Sequence, residues 1–381
     1  MLTVALDLRP LVGSPKTGVG EYADQLARTL IALGRFRIIL YTNGIRRPPL
    51  YAYHGDFLSV HTAIPNKIID LSIRVCQRPY IDDLIAMKHG ESVDVFLSPH
   101  LTSAPVRQSK KIIVVHDCSF NYYDFFSLRK RYWHWSMSAA RTIIDADRIV
   151  AVSGHTREEL IKFYGVFPET VRVVPPGLDS AFLQTPSPHS IDAIRRKYGL
   201  PQSFILFLGT VEPRKNIPTL LDAYERIAPH CRDNLVIAGA FGWKTREVKR
   251  MIAVHPSASR VHCIGYVDAA DKNALYRLSS CFVYPSLYEG FGFPPLEAMS
   301  CGVPVVVSHA TSLPEVVGEA AIVIDPYNSE DLARAISIAL TDERYRARCA
   351  VEGPKQAMQF SWEKTVREIA GIIEEVTDSK R

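Results

Sequence analysis

Residues 204–227 read FILFLGTVEPRKNIPTLLDAYERI, and their pattern indicates the fold class. Its first five residues, 204–208, are all apolar, which predicts a strand that is buried on both faces. A polar loop over 209–216 and a helical pattern over 217–227 follow. An entirely apolar strand that leads into a helix is typical of a parallel sheet, because parallel strands are joined by crossovers that cover the sheet.

The same alternation continues in both directions along the chain. We predict strands at 3–8, 37–41, 93–97, 111–116, 148–152 and 171–174, and then at 204–208, 235–238, 260–264, 281–284, 303–307 and 321–324. Helical patterns separate them, as at 19–33 and 329–340. Two such series predict an α/β protein of two facing, doubly wound Rossmann-like domains with parallel sheets and a cleft between them. The proline-rich segment 175–188 marks the boundary, and we divide the chain into domains 1–182 and 183–360.

The composition excludes several classes of protein. The chain has 381 residues, of which 47% are hydrophobic and 22% charged, so it is neither disordered nor fibrous. No apolar stretch approaches the length of a membrane span, and the early Asp7 interrupts any secretory signal, so we expect a cytoplasmic protein. The seven scattered cysteines predict reduced thiols rather than a metal cluster or disulfides. The net charge of +5 arises in the first half, which suits phosphates, an acidic membrane surface or simple solvation.

In open parallel sheets, ligands bind at the carboxyl ends of the strands, so segments that follow strands are the candidate sites. The first is TGVGEYA, residues 17–23, where Gly18 and Gly20 open a helix and allow a phosphate to approach backbone N–H groups. A dinucleotide fingerprint is disfavoured, because nine residues separate the strand from Gly18 and no acidic residue ends the second strand. A phosphate-approach loop and a plain helix start remain.

The second candidate is Arg214-Lys215, directly after the strand at 204–208. A guanidinium can bind two oxygens of a diphosphate while an ammonium acts as a point charge. Basic pairs are also common on surface turns, so the pair alone does not decide between the two interpretations.

The third candidate is the glycine-rich segment 288–299, in which Glu289 lies in a loop and Glu297 in the first turn of a helix that begins near Pro294-Pro295. Two carboxylates eight residues apart can hold two parts of one ligand, such as a ribose diol and a sugar. The simpler interpretation of Glu297 is a favourable interaction with the helix dipole.

The fourth candidate is His116, which ends an apolar run. A histidine at a strand terminus can donate a hydrogen bond or accept a proton in a ligand site. A structural histidine is the alternative.

Taken together, these segments resemble the glycosyltransferase family 4 enzymes of the GT-B fold. EGFGFPPLEAMSCGVPVV, residues 289–306, resembles the family's Glu-x7-Glu signature, and GTVEPRKN, VVHD, SGHTREEL and SLPEVVGEAA are similar to segments of the same enzymes. The resemblance implies a retaining transfer of a sugar from a nucleotide-diphosphate donor without a metal or other cofactor. It also implies that the last helix, within 361–381, returns to the first domain, which would then be the acceptor side.

The resemblance also implies roles for the candidate residues. Arg214 and Lys215 would hold the diphosphate, Glu297 the ribose and Glu289 the donor sugar, while His116 would act near the anomeric carbon. The remaining donor contacts would be backbone groups of Gly18, Gly20, Phe291, Gly292 and Phe293. Many family members carry arginine directly after the glycine of the Arg–Lys segment, whereas this chain has Thr210, so either Arg214 replaces that arginine or phosphate binding is arranged differently.

Other classes of function fit less well. The only Asp-x-Asp, Asp145-Ala146-Asp147, lies between a predicted helix and a strand, so a metal-dependent transferase is disfavoured. A nicotinamide oxidoreductase lacks its ribose carboxylate, and a nucleic-acid-binding protein lacks a concentrated basic stripe. A non-catalytic nucleotide-sugar-binding protein of the same fold remains an alternative.

Donor and acceptor are open at this stage. The sequences of the motifs resemble those of bacterial α-mannosyltransferases that use GDP-mannose in surface-polysaccharide assembly. UDP-hexose donors are the alternative. Segments 120–137 and 64–87 combine aromatic or aliphatic residues with basic ones, as at a lipid headgroup boundary or around a lipid-diphosphate acceptor. We therefore expect a saccharide or lipid-linked acceptor, with peripheral contact to the inner face of a membrane as a hypothesis.

Overall fold

The computed structural model describes residues 1–12, 18–45, 47–48, 53–101, 104–122, 125 and 139–378. The chain divides into two compact units. The first comprises Met1–Phe120, Leu128–Gly177 and Ser361–Arg381, and the second comprises Asn121–Ser127 and Leu178–Phe360. Among the described residues, no helix is both long and apolar enough to cross a membrane.

The first unit is built on a seven-stranded sheet in which every strand pair is parallel. Its strands are β1 (Thr3–Asp7), β2 (Arg37–Asn43), β3 (Phe57–Thr62), β4 (Val95–Ser98), β5 (Lys110–Val115), β6 (Arg148–Ala151) and β7 (Val171–Val173). Their order across the sheet is β3-β2-β1-β4-β5-β6-β7. Its helices are α1 (Gly18–Leu33), α2 (Asn66–Cys76), α3 (Ile81–His89), α4 (Ala139–Ile144), α5 (Gly154–Tyr164) and, at the end of the chain, α14 (Trp362–Asp378).

The second unit repeats this architecture with six parallel strands. They are β8 (Phe204–Leu208), β9 (Asn234–Ala238), β10 (Val261–Gly265), β11 (Cys281–Tyr284), β12 (Val305–Ser308) and β13 (Ile322–Ile324), in the order β10-β9-β8-β11-β12-β13. Its helices are α6 (Pro188–Tyr198), α7 (Ile217–Ile227), α8 (Arg246–Val254), α9 (Lys272–Leu278), α10 (Phe293–Ser300), α11 (Leu313–Val317), α12 (Ser329–Thr341) and α13 (Glu343–Ala357). The prediction of two Rossmann-like domains with parallel sheets is confirmed.

The central strands hold each core together. All residues of β1, β8 and β11 are buried, as continuous apolar runs require when helices cover both faces of a sheet. Each fully buried Leu, Ile or Phe on these strands contributes about 1.5–3 kcal/mol relative to an exposed side chain. The helices present matching apolar faces, such as Leu26 and Leu30 of α1, both of which are completely buried.

The boundary between the units lies slightly earlier than residue 182, the end of the first domain in our prediction. The first unit ends at Gly177, and residues from Leu178 onward belong to the second. The N–H of Leu178 donates to the carbonyl of Phe360, and the ring of Phe182 lies 6.1 Å from that of Tyr276. These contacts place residues 178–182 in the second unit, and the sequence around them does not predict these contacts.

The final helix, α14, packs within the first unit. Ser361 caps it, because the Ser361 hydroxyl accepts a hydrogen bond from the N–H of Lys364 at 3.2 Å. The Thr365 hydroxyl donates to the carbonyl of Pro175 at 2.7 Å. A Cβ at position 177 would lie 2.1 Å from the backbone nitrogen of Trp362, so Gly177 is required where the two segments meet.

Strand order reverses at one place in each sheet. In the first unit the reversal lies between β1 and β4, and in the second between β8 and β11. At such a switch point the connections leave in opposite directions, and a crevice opens at the carboxyl ends of the two strands. The residues that follow β1 and β4, and those that follow β8 and β11, are therefore the places to search for a site.

Candidate active site

The switch point of the second unit is formed by two loops that are tied together. After β8, residues Pro213–Lys215 form a single helical turn that ends at Asn216, whose φ is 57°. The Asn216 amide donates to the carbonyls of Pro285 (3.1 Å) and Pro326 (2.7 Å), and the N–H of Leu287 donates to the carbonyl of Arg214 (2.7 Å). The loop after β8 is thereby fixed against the loop after β11.

Glu289 lies at the centre of this arrangement. One of its carboxylate oxygens accepts from Arg214 Nη1 at 2.8 Å, and the other accepts from Lys215 Nζ at 2.5 Å. The carboxylate and the ammonium are both buried. The structure thus brings together three of the residues that the sequence singled out, from two loops that are more than seventy residues apart.

The protonation states follow from this geometry. Burial alone would raise the pKa of Glu289, but the positive charges of Arg214 and Lys215 hold this pKa at about 2. Burial and the neighbouring Arg214 lower the pKa of Lys215 to about 8, although Glu289 acts in the opposite direction. At pH 7 the carboxylate is ionised and the ammonium form of Lys215 predominates.

The side chain of Tyr284, the last residue of β11, packs against the Lys215 ammonium. The Lys215 ammonium contacts the Tyr284 hydroxyl and lies 4.7 Å from the centre of its ring. Burial raises the pKa of Tyr284 well above its usual value, so the hydroxyl stays neutral. In the sequence, an aromatic residue at the end of an apolar strand is indistinguishable from a core residue, so the contact between Tyr284 and Lys215 was not predicted.

Arg214 has a second carboxylate partner. Its Nε contacts Glu212, which is also buried, and its Nη1 donates to the carbonyl of Tyr288 at 3.0 Å. Arg214 thus contacts Glu212 and the Tyr288 carbonyl in addition to the Glu289 carboxylate that it shares with Lys215. Thr210, which occupies the position where many family members carry arginine, is exposed.

The backbone around Glu289 is anchored from the loop after β12. The Thr311 hydroxyl accepts from the N–H of Glu289 at 2.9 Å, and the Ser312 hydroxyl lies within hydrogen-bond distance of the Glu289 and Phe291 carbonyls. Gly292 has a φ of 115°, and a Cβ there would lie 2.7 Å from Leu313 Cδ2. Only glycine therefore fits just before α10.

The rings of Phe291 and Phe293 are 5.2 Å apart in an edge-to-face arrangement. They follow the loop of Glu289 and lead into α10. Their contact fixes the turn in which the sequence predicted donor-binding N–H groups.

Glu297 lies in α10 and has partners of its own. One carboxylate oxygen accepts from the Tyr276 hydroxyl at 2.7 Å, and the other is 3.7 Å from Lys272 Nζ. Glu297 is buried, and it does not share the cations of Glu289. The two glutamates of the signature therefore occupy two separate hydrogen-bonding environments.

In the first unit, His116 directly follows β5 and lies against α1. Its Nε2 lies 2.8 Å from the carbonyl of Pro99, and because a carbonyl only accepts, Nε2 carries the proton and the neutral ring has its lone pair on Nδ1. Burial lowers the pKa of His116, which favours this neutral form. The ring packs edge-on against Tyr22 at 4.7 Å, on the helix that begins at Gly18 and includes Gly20.

A second buried ion cluster lies at the switch point of this unit, around Asp7. Arg9 donates to both carboxylate oxygens, through Nε at 2.9 Å and through Nη2 at 2.6 Å. His100 Nε2 lies 3.1 Å from the same carboxylate, and the Ser98 hydroxyl donates to the carbonyl of His100 at 2.9 Å. Burial would raise the pKa of Asp7, but Arg9 and His100 hold it far below its usual value.

The Asp7 cluster was not predicted from the sequence. Asp7, at the end of β1, and His100, after β4, become neighbours only once the strand order is known. It fixes the turn that carries Pro99, whose carbonyl orients His116. Within the described residues, no group of three or more His, Cys, Asp or Glu side chains is arranged to hold a metal ion.

Comparison with protein families gives two matches that together cover most of the chain. The Glycosyltransferase Family 4 model matches residues 16–182, and the model of glycosyl transferases group 1 matches residues 190–356. The O-antigen chain mannosyltransferase B of Escherichia coli is 35% identical over 262 residues, which cover 68% of this chain and 68% of that protein. The chain belongs to the family 4, group 1 glycosyltransferases.

Further relatives support the same family. The serotype-specific mannosyltransferase WbdA of E. coli is 34% identical over 225 residues, which cover 58% of this chain but only 28% of that longer protein. A D-inositol 3-phosphate glycosyltransferase from Thermobifida fusca is 32% identical over 58% of this chain and 53% of its own length.

Solved structures show the GT-B fold. The sucrose-phosphate synthase from Thermosynechococcus elongatus covers 100% of both chains with a TM-score of 0.76 at 18% identity. HepE from Anabaena, in complex with UDP and glucose, covers 98% of this chain and 99% of its own with a TM-score of 0.72 at 19% identity.

Proposed function

We propose that this glycosyltransferase moves a mannosyl group from GDP-mannose, with retention of configuration, to a saccharide or lipid-linked saccharide acceptor of a surface polysaccharide. The observation that carries the donor site is the contact of Arg214 and Lys215 with Glu289 at the switch point of the second sheet. The choice of mannose is supported by the similarity to the E. coli O-antigen chain mannosyltransferase B.

The cluster suits a diphosphate for electrostatic reasons. Transfer leaves negative charge on the departing nucleoside diphosphate, and fixed cations in a buried site stabilise that charge more strongly than water does. Lys215 is buried and has its pKa lowered to about 8 chiefly by burial, so an incoming anion would favour its charged form. We assign Lys215 to the diphosphate, with Arg214 as its partner.

Glu289 has the properties of an orienting group. Both of its oxygens are bound by cations, which makes the carboxylate a weak nucleophile. We propose that it positions Lys215 and Arg214 and accepts hydrogen bonds from the donor sugar, with no covalent sugar–enzyme intermediate. The transfer would then proceed by front-face attack assisted by the departing phosphate.

The other donor contacts that we propose involve a glutamate, backbone groups and a histidine, all predicted from the sequence. Glu297 would accept from the ribose, backbone N–H groups of 291–293 from the loop would bind the sugar and phosphates, and Gly18 and Gly20 would approach the phosphates at the start of α1. His116, neutral with its lone pair on Nδ1, would accept a hydrogen bond from the sugar. We further propose that neither a metal nor another cofactor takes part.

The test is a transfer assay with GDP-mannose, UDP-glucose, UDP-galactose and UDP-GlcNAc against mannose-terminated oligosaccharides, in the presence of EDTA. We expect transfer from GDP-mannose alone and an α-anomeric proton in the NMR spectrum of the product. A β-linked product would refute retention. Activity that returns only when magnesium or manganese is added would refute metal independence.

A UDP-hexose donor is the second candidate. The structural relative HepE, similar in fold at 19% identity, is described in complex with UDP and glucose. Transfer from a UDP-hexose in place of GDP-mannose would favour this alternative. Binding of a nucleotide sugar with no transfer to any acceptor would favour the non-catalytic binding protein.

Contact with a membrane is a separate proposal. On α2, Ile68, Leu71 and Val75 are 59%, 59% and 74% exposed, and their spacing of three and four residues places them on one face of the helix. The sequence places basic residues on and next to this helix, which suits the anionic inner face of a membrane. The other segment with this composition, 120–137, lies almost entirely outside the described residues.

Co-sedimentation with anionic vesicles at low salt tests the membrane proposal. We expect the wild type to pellet with the vesicles and Leu71→Ser to pellet markedly less. The variant Ile338→Ser, which removes an exposed apolar side chain from α12, is the matched control. Failure of the wild type to bind would refute this contact without affecting the donor site.

A further inference from the structure

The first unit contains a polar cavity of about 240 Å³ on the sheet face covered by α3 and α4. Its lining includes Gln77, which follows α2, Tyr80, which precedes α3, and Arg141, Thr142 and Asp145 in and after α4. Lys111 of β5 also lines it. None of these residues belongs to the proposed donor site.

Lys111 is the unusual member of this lining. It lies near the start of a central strand, and only 5% of its surface is exposed. Its nearest strand neighbour is Phe96 on β4, so its side chain projects from an apolar sheet into the cavity. A charged side chain in the interior is costly unless an opposite charge or hydrogen-bond acceptors compensate it.

The two carboxylates near Lys111 are committed to other groups. Asp147 accepts from the Lys110 ammonium and from the backbone N–H of Lys111, both at 2.8 Å. Asp145 pairs with Arg141 at 3.4 Å. Within the part of the chain that the structure describes, the Lys111 ammonium forms no hydrogen bond and no ion pair.

The charge of Lys111 persists at neutral pH. Burial lowers its pKa to about 8, while Asp145 and Asp147 act to raise it and Arg9 to lower it further. Below pH 8 the ammonium form therefore predominates, and it faces a cavity that Arg141 also lines. The site thus has two cations and several neutral donors, but one carboxylate.

We propose that this cavity binds a phosphoryl group, at a site distinct from the donor diphosphate site. A cavity of about 240 Å³ has room for such a group, since a water molecule occupies about 30 Å³ of liquid. The group would accept hydrogen bonds from the Lys111 ammonium, and Tyr80, Arg141 and Thr142, which line the same cavity, have side chains that can also donate. It can come from a free phosphate or from the headgroup of an anionic lipid.

The first experiment measures thermal unfolding with inorganic phosphate against chloride at equal ionic strength. Lys215→Met serves as the background, because it removes a cation from the proposed donor site, where we also expect phosphate to bind. We expect phosphate at about ten times its Kd to raise the Tm of K215M by about 3 °C, and K111M/K215M to lose this shift. No shift in K215M, or an equal shift in the double variant, would overturn the proposal.

Unfolding without phosphate separates binding from a structural role. Lys111→Met removes an uncompensated buried charge and keeps the apolar stem, so we expect the Tm of K111M to equal or exceed that of the wild type. A Tm that falls by several degrees would mean that Lys111 stabilises the fold through water or its neighbours, and would contradict a ligand site.

The second experiment distinguishes the two sources of the phosphoryl group. Vesicles of phosphatidylcholine with phosphatidic acid are compared with vesicles of phosphatidylcholine alone. If the source is a lipid, K111M loses the preference for phosphatidic acid, whereas Leu71→Ser weakens binding to both kinds of vesicle. If the source is a free phosphate, K111M retains wild-type vesicle binding, while K111M/K215M loses the phosphate-induced rise in Tm that K215M shows. Wild-type vesicle binding by K111M together with an undiminished phosphate response of K111M/K215M would refute the site.

Discussion

The switch points of the two sheets carry buried ion clusters that differ in which loops supply the paired side chains. In the second unit, Glu289 comes from the loop after β11, and both of its cations come from the loop after β8. In the first unit, Asp7 pairs with Arg9, only two residues further along the chain, and with His100 after β4. The ion pairs of Glu289 therefore join two loops, whereas the main ion pair of Asp7 lies within one loop.

The difference indicates different tasks. Asp7 is bound through both oxygens by one guanidinium, and its pKa lies far below the usual value, as expected of a fully satisfied anchor. Lys215 instead keeps its pKa at about 8, chiefly because it is buried, so further negative charge at this place is favourable. The lesson is that a charge cluster which remains electrostatically unsatisfied is the better candidate for a ligand site.

The largest effect is expected from Lys215→Met. If Lys215 stabilises the leaving diphosphate, kcat/KM should fall by about 1,000-fold, the range found when a preorganised donor to developing charge is removed. Steady-state transfer kinetics measure it. Lys355→Met, which removes an exposed lysine of the same unit, should stay near the wild type. Normal kinetics of K215M would contradict the assignment of the Glu289 cluster as the ligand site and leave it no different from the Asp7 cluster.

Asp7→Asn addresses the other cluster. Loss of the carboxylate leaves Arg9 buried without its main partner, and breaking such a pair costs about 3 kcal/mol or more. We expect lower stability in urea denaturation but an unchanged nucleotide Kd. Asp56→Asn, at an exposed position of the same unit, is the control. If D7N binds nucleotide as poorly as K215M, both clusters serve the donor.

Glu289→Gln tests how the bridging carboxylate controls Lys215. Glu289 raises the pKa of Lys215, so its removal should lower that pKa below about 8 and move the alkaline fall of activity to lower pH. We expect transfer to drop about tenfold at pH 6.5 and about 100-fold at pH 8. A pH–rate profile measures this. A profile that only scales down, without moving, would show that Glu289 does not act through Lys215.

The same variant has a predicted effect on stability. The pKa of Glu289 is lowered from 4.5 to about 2, so its contribution is present above pH 4.5 and is lost as the pH falls towards 2. The shift corresponds to about 3 kcal/mol at neutral pH. Denaturation of the wild type and E289Q at pH 7 and near pH 2 should show a difference that largely disappears in acid. A constant difference would contradict the ion pairing.

The smallest effect is expected from His116→Asn. Asparagine keeps a donor near the carbonyl of Pro99 but lacks the ring nitrogen that would accept from the sugar. We expect kcat to fall about tenfold, with little change in the nucleotide Kd. Transfer and nucleotide binding are measured on the same preparations, with His189→Asn, an exposed position, as the control. An equal loss in both would mean that H116N disturbs the fold.

Much of the fold follows from periodicity. Uninterrupted apolar strands and amphipathic helices predict two parallel sheets, and twelve of the thirteen strands found among the described residues lie close to the predicted ranges. The exception is β3, FLSVHT, which lies at the edge of its sheet and mixes polar with apolar residues because it is only partly buried. Its polar residues interrupt the continuous apolar run that identifies a strand buried on both faces.

The contacts of the site are less predictable than its location. Arg214, Lys215 and Glu289 could be singled out because each follows an apolar strand, but their mutual contacts depend on β8 lying next to β11. Tyr284 and Asp7 gave no signal, since one resembles core and the other merely ends a strand. The partners of Arg214 also depend on three-dimensional neighbours, because Glu289 comes from another loop.

Nucleotide binding most directly tests the proposal that Lys215, in the cluster after β8 and β11, binds the donor diphosphate. Thermal unfolding is followed with GDP, UDP, ADP and dTDP in EDTA, for the wild type and K215M. We expect one nucleoside diphosphate, GDP for a mannosyltransferase, to stabilise the wild type by about 2.7 kcal/mol at 100 times its Kd and to stabilise K215M far less. Equal stabilisation of both proteins, or none by any nucleotide, would contradict it.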